Sequence, residues 1–420
     1  MTNTISRRTA MLLPLALPLA ARSLEARAQG SPVLIGATYP LSGSAASAGQ
    51  EMKAAIEVGL DIINNAHPEL KDLPLGPTPG LPNLQGRKVS VDFADHQGNP
   101  AVAQSQTLRL ITQDHAVGMV GAYQSSCTLT SSAVAERYGV PFVAGESTAP
   151  NLTERGYKWF FRTTPFGADF GKAYAAFLTD LKKAGTKVDG VTIVNENTDF
   201  GTGTGDAIVA SLKDSNLPLK SRITYNANSA DLTAEVLQMK QTNPDVAIFV
   251  SYTSDSILFL KTMKGQNYKP AVVIGDDAGF SDPAFIKAVG DIAQGAIDRS
   301  AFGIGKPGSN SNIVNAMYKA KTGNDLDDTS ARCLQGFLVL CDAINRAGST
   351  DPDKIRAALV ATDLKPDQLM IGYKGVRFNA QGQNELASTL LVQLQGSDYG
   401  PIWPAASATG KLELPFKGWA

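Results

Sequence analysis

The sequence predicts an α/β protein built as two similar lobes, each a parallel sheet covered by helices on both faces. Three observations predict it. Short apolar runs alternate with amphipathic stretches of helical spacing, the pattern of a parallel sheet with crossover helices. The alternation occurs twice, over about 31–163 and about 164–298. The 420 residues also exceed one domain of about 100–200 residues.

The N-terminus comes first. Ser6-Arg7-Arg8-Thr9 precedes a short apolar stretch, Met11–Ala21, broken by Pro14 and Pro18. Ala26-Arg27-Ala28 then forms an A-x-A cleavage pattern. This order predicts an export leader of the twin-arginine type over 1–28 and a periplasmic mature protein. The apolar stretch falls short of the roughly 20 residues that span a bilayer. No cysteine follows the cleavage pattern, so no lipid anchor is expected.

The first run opens with a strand at Val33–Thr38, closed by Tyr39-Pro40. Met52, Ile56, Leu60 and Ile63 recur at helical spacing and predict a helix over about 48–65. Lys88–Ala94 alternates as a strand. Ala101–Gln113 is helical. Val117–Gly121 and Val140–Gly145 are short strands around a helix at about 127–138. The second run has strands at Val188–Val194, Val246–Val250 and Ala271–Ile274. Its helices include Asp206–Lys213 and Ile257–Met263. Between Ala66 and Arg87, five prolines and three glycines forbid a helix or interior strand. That stretch is predicted to be a surface loop, either decoration or a rim for a partner.

Composition narrows the function. The formal net charge is −1, and removal of a leader with four arginines and one glutamate makes the rest mildly acidic. Nucleic acids and anionic membranes demand basic patches and are not expected as partners. Cys333 and Cys341 lie on one predicted helix about 12 Å apart, too far to bridge. Cys127 stands in the first turn of another helix, where a dipole lowers a thiol pKa. The plainer reading of all three is a small buried residue.

Enzyme signatures fail on inspection. Gly145-Glu146-Ser147-Thr148-Ala149 approaches a nucleophile elbow, but its last glycine is replaced. His67, His96 and His115 all precede Ser147, whereas that architecture places its base after the serine. Gly201-Thr202-Gly203-Thr204-Gly205 resembles a dinucleotide loop, yet Asp206 stands where the third glycine belongs. The histidines lack metal-ligand spacing. No catalytic residue, metal or cofactor is expected.

Ligands of parallel α/β sheets bind beyond the carboxyl ends of the strands. Ser125 and Ser126 there open a helix whose free N–H groups attract a carboxylate, or they simply cap it. Ser147 and Thr148 add hydroxyls from the next strand end. Phe200, Tyr252, Asp276 and Asp277 offer an aromatic wall and carboxylates for a ligand with apolar and cationic parts. The two aspartates also read as turn residues, although the next helix has its own start at Ser281-Asp282-Pro283 and does not need them as a cap.

Several stretches carry a family resemblance: Ile35-Gly36 with Pro40-Leu41-Ser42-Gly43, Gly121 with Ser125–Thr128, and above all Thr148–Tyr157 with Phe161–Thr164. They resemble the periplasmic leucine/isoleucine/valine-binding proteins of ABC importers. The resemblance implies a type I periplasmic binding fold with three hinge strands closing on ligand. One lobe would then comprise 31–163 with 299–384, the other 164–298 with 385–415. It implies that Ser125 and Thr148 hold a ligand carboxylate, that main-chain groups at Glu146 contribute, and that Asp277 stands for a glutamate pairing an ammonium. Tyr252 matches a neighbouring tyrosine, Phe200 replaces another, and Ala48 replaces an aromatic residue, enlarging the pocket. An amino acid is the expected ligand, branched-chain-like or larger and aromatic. Aromatic acids, amides and urea are alternatives within the family. The implied partners are an ABC permease and ATPase complex, with the binding protein a monomer; a sensor subunit is the alternative role.

Overall fold

The computed structural model describes residues 30–419 and Met1. The expected leader otherwise lies outside the described residues. Five parallel strands form the first sheet: β1 (Val33–Tyr39), β2 (Val89–Asp95), β3 (Gly118–Gly121), β4 (Phe142–Ala144) and β5 (Phe160–Arg162), in the order β2-β1-β3-β4-β5. The second sheet contains β6 (Val191–Glu196), β7 (Leu219–Tyr225), β8 (Val246–Val250), β9 (Val272–Asp276), β10 (Ile297–Ser300), β11 (Leu390–Gln395) and β12 (Asp398–Trp403), in the order β12-β11-β10-β9-β8-β6-β7. Its β7-β6-β8-β9-β10 part is parallel, and the β11–β12 hairpin adds antiparallel to β10.

Side-chain alternation sends each strand's residues to two helix layers. In β1, Val33, Ile35, Ala37 and Tyr39 face α1 (Ala46–Asn64). On the other face, Met119, Phe142 and Phe160 meet residues of α2 (Pro100–Thr112) and α3 (Ser125–Tyr138). In the second lobe, Val191, Ile193, Ile248 and Ile274 pack on α4 (Gly167–Lys183) and α5 (Asp199–Asp214). Val194, Phe249 and Val273 pack on α6 (Thr233–Thr242), α7 (Thr253–Gly265) and, past the short α8 (Ala278–Ser281), on α9 (Pro283–Val289). As expected, Asp282 caps α9, accepting from the Ala284 N–H at 2.8 Å.

After β10 the chain returns to the first lobe. Ala301 and Phe302 enter its core together with α10 (Asn310–Thr322), the long buried α11 (Asp328–Ala347) and α12 (Pro352–Val360). Three crossings therefore join the lobes. Side chains tie them together: Gln383 donates to the Thr164 carbonyl at 2.9 Å, and Asn384 to that of Thr163 at 3.0 Å. Glycine permits one close approach. A Cβ on Gly145 would lie 2.6 Å from the Arg332 carbonyl, and one on Gly336 3.1 Å from the Gly145 Cα. So α11 rests directly on the end of β4.

Two expectations are corrected. Segment 66–87 is not a loose surface loop: Leu70, Leu73 and Leu81 are at most 2% exposed and join the first core. Prolines deny it a long helix, but two 3-10 turns, Pro68–Leu70 and Pro82–Leu84, bring the leucines inward. The strand expected at Ala271–Ile274 extends through Asp276, which is fully buried rather than a turn residue. It stays in the sheet because Tyr174 donates to it and Arg299 lies 3.4 Å away.

Leu81→Ala should therefore lower unfolding stability by about 2–5 kcal/mol, the cost of a buried leucine truncation. Urea denaturation checks it. A change under about 0.5 kcal/mol, typical of surface sites, would return the segment to decoration.

Candidate ligand-binding site

Each sheet reverses its winding at one point, between β1 and β3 in the first and between β6 and β8 in the second. Loops at such points diverge and leave a crevice at the strand ends. Here the two crevices face each other. Ser125, Glu146 and Thr148 from the first lobe meet Phe200, Tyr252 and Asp277 from the second in one cavity. Tyr123 and Ser251 complete the lining.

The remaining expected positions stand nearby. Ser126 lines an adjoining small cavity with Tyr123, Gln124 and Tyr252. Ser147 does not line the main cavity. Its hydroxyl donates to the Tyr123 carbonyl at 3.0 Å and lies 2.5 Å from the Thr128 hydroxyl, so it holds the loop that carries Tyr123. Ala48 is buried in the first core and lines neither cavity.

The two lobes are in contact here. The Tyr123 and Tyr252 rings lie 5.7 Å apart, and Phe200 lies 5.2 Å from Tyr252. Across the rim, Asn151 donates to Asp199 at 3.1 Å and Ser47 to Asp282 at 3.2 Å. The main cavity leaves about 10 Å³ for the centre of a water-sized sphere, room for about one water. A larger occupant requires the tyrosines to part. Tyr123 has φ +69° and Asp277 φ +74°; a bulky residue in this region is a steric outlier, and such outliers gather at ligand clamps.

Polar atoms in the lining lack partners among the described residues. They are the hydroxyls of Tyr123, Tyr252 and Thr148 and the Oε2 of Glu146. Buried polar atoms are nearly always paired, so four orphans around one space make it a candidate site for a polar ligand. Burial raises the pKa of Glu146, while Tyr39 donates to its Oε1 at 2.9 Å. The helix ends differ in the same way. Glu196 fills the start of α5, accepting from the Gly201 N–H at 2.6 Å. The start of α3, at Ser125, has no side-chain cap and presents its free N–H groups, an anion site.

Sequence reasoning missed the two arginines behind Asp277. Arg299 on β10 pairs with Asp277 at 2.7 Å and Asp328 at 3.2 Å. Arg332 on α11 pairs with Asp328 at 2.9 Å and with Asp277. It also donates to the Glu146 carbonyl and the Thr164 hydroxyl, each at 3.0 Å. Both arginines are at most 1% exposed. Burial works against the Arg332 charge, but Asp277 and Asp328 outweigh it and raise its pKa. Their only sequence signal was charge within apolar stretches, Arg299 at a strand end and Arg332 beside Cys333.

The sequence profile of the periplasmic binding protein family matches residues 32–398. This chain belongs to that family. It is therefore a solute-binding protein of an extracytoplasmic family and not an enzyme. It is 27% identical over 415 residues to Leu/Ile/Val-binding protein homolog 7 of Brucella abortus, covering 96% of this chain and 98% of the relative. Among solved structures it resembles the branched-chain amino acid binding protein LivJ of Streptococcus pneumoniae, in complex with isoleucine, with TM-score 0.73 and 19% identity over 88% of this chain and 98% of that one. It also resembles a solute-binding protein of Rhodopseudomonas palustris in complex with 3,4-dihydroxybenzoic acid, with TM-score 0.72 and 17% identity over 87% and 93%.

The other reactive residues of this periplasmic binding protein have structural surroundings. Burial pushes the Cys127 thiol up to about 12, against the expected helix-dipole effect, and also raises Cys333 and Cys341. His96 is buried, its Nε2 2.9 Å from the Ala122 carbonyl. Among the described residues, no group of three His, Cys, Asp or Glu is placed to hold a metal.

Glu51 gives the stability of the protein a pH dependence. Burial, with the Asp327 and Asp282 carboxylates beside it, raises its pKa from 4.5 to about 9. The folded state then keeps a proton that the unfolded chain releases, so this group lowers stability as pH rises from 4.5 to about 9. Glu51→Gln should remove that part of the decline. Urea midpoints across this window check it; an unchanged slope would contradict the assignment.

Proposed function

We propose that this protein is the periplasmic component of an ABC importer, capturing an amino acid, branched-chain-like or larger and aromatic, and delivering it to a membrane permease and its ATPase. The lobes, 31–163 with 299–384 and 164–298 with 385–415, close around the ligand. The single observation that carries this reading is the set of unpartnered atoms around the cleft, arranged as a zwitterion needs. The uncapped start of α3, with Ser125, Ser126 and Thr148, receives the carboxylate. Glu146, through its unpartnered Oε2, accepts from the ammonium, with Asp277 as the second carboxylate. Phe200 and Tyr252 flank the side chain. Bound ligand contacts both lobes and so favours the closed form.

A second reading has its own support. Tyr123, Tyr252 and Phe200 form a continuous aromatic group, and one structural relative is in complex with an aromatic acid. An aromatic carboxylate would use the α3 end and the rings but leave Glu146 without a cation.

A thermal-shift screen of stripped mature protein separates them. A ligand at 100 times its Kd adds about 2.7 kcal/mol of stability. α-Amino acids should shift the melting temperature and their des-amino counterparts should not. Glu146→Gln should weaken the α-amino ligand about tenfold or more, since a hydrogen bond to a charged group contributes about 1.5–3 kcal/mol. A shift by des-amino aromatic acids alone would replace the first reading by the second.

A further inference from the structure

A larger recess lies where the second sheet meets the chain returning to the first lobe. It shares no lining residue with the cleft. About 480 Å³ is open to the centres of water-sized spheres, within the range of small-molecule sites. Its floor is a cross-strand row. Asp298 on β10 pairs with Val392 on β11, which pairs with Pro401 on β12. Ile286 of α9 stands on one side, and Phe302, Ile304 and Leu326 of the returning chain on the other. Ile304 is 43% exposed.

Asp298 is the second, independent observation. It is 0% exposed at one end of this row. Its Oδ1 accepts from the Arg299 N–H at 2.8 Å, and its Oδ2 has no partner among the described residues. Several neighbouring charges are engaged elsewhere, while Lys287 and Asp398 also line the recess. Arg299 is held by Asp276, Asp277 and Asp328, and Asp325 by Lys319 at 2.8 Å. Asp327 caps its own helix through the Ser330 N–H at 2.7 Å. A buried carboxylate oxygen with no donor is costly. Burial accordingly raises the Asp298 pKa well above its usual range. An ammonium group would supply the missing donors, and apolar walls suit the body behind it.

We propose that this recess is a second ligand site, taking a small organic ammonium with an apolar body, its cation on Asp298 and its body between Ile286, Phe302 and Ile304. Ile286 belongs to the second lobe and Phe302 to the core of the first, so an occupant touches both and biases the angle between them.

Isothermal titration and thermal shift with n-hexylammonium, n-hexanol and n-hexanoate test the site. The expected result is saturable binding of hexylammonium alone. Asp298→Asn should weaken it about tenfold or more, Ile304→Ser should weaken it measurably, and Glu146→Gln in the cleft should leave it unchanged. Ile304 is at the surface, so its variant tests the site even if Asp298→Asn does not fold. Absence of saturable binding, equal binding of hexanol, or full affinity in a folded Asp298→Asn or in Ile304→Ser would overturn the proposal. So would loss of binding in Glu146→Gln, which would place the probe in the cleft.

Discussion

The structure depends on one buried ion cluster, in which Arg299 and Arg332 hold Asp276, Asp277 and Asp328. Removing one partner from such a pair leaves an uncompensated buried charge, at a cost of about 3–5 kcal/mol. The members come from distant parts of the chain: the end of β9, the end of β10, and the start of α11. They therefore fix three things together: the orientation of Asp277 in the cleft, the path of one crossing strand, and the seating of α11. Phe170 adds to the hold, its ring centroid 3.7 Å from the Arg299 guanidinium, an arrangement that favours a desolvated cation.

The cluster also positions cleft-lining groups of the first lobe. Arg332 binds the Glu146 carbonyl, and only glycine at 145 and 336 lets α11 come that near. Glu146 thus has its backbone held by Arg332 and its Oε1 by Tyr39, while Oε2 remains for the cleft. The opposite wall is built by aromatic stacking, with Tyr252 between Tyr123 and Phe200. Charge sets the geometry behind the cleft, and rings set its closed face. The contrast between α3 and α5 belongs to the same design. One helix start is filled by the protein's own Glu196, and the other has no side-chain cap.

Much of this was legible in the sequence. Strands β1 to β4 of the first sheet and the centre of the second follow from short apolar or alternating runs such as Val246–Val250, whose residues are all buried; β5 was not anticipated. Ser125, Thr148, Phe200, Tyr252 and Asp277 were singled out from strand-end loops, and they line one cavity. Less visible was β7, an edge strand whose first residues are exposed and show no apolar run. α6 has only Val236 and Met239 buried, too few for a periodic signal. The leucines of 66–87 were overlooked because the prolines dominate local reading, although packing, not periodicity, is what makes that segment part of the core. Ser147 looked like a ligand hydroxyl, yet it serves the Tyr123 loop.

The sequence by itself determined the class of fold, the doubling into two lobes, and the loops in which a site had to lie. These depend on local periodicity, turn residues and strand-end position, all of which are written in neighbouring residues. Only the tertiary structure decided which atoms line the cleft and which charges are already matched. Arg332 is 55 residues from Asp277 and 186 from Glu146, and Asp298 shows its unpaired oxygen only once β10, β11 and β12 lie side by side. Pairing of buried charges and orphaned polar atoms are properties of long-range contact, and no local pattern records them.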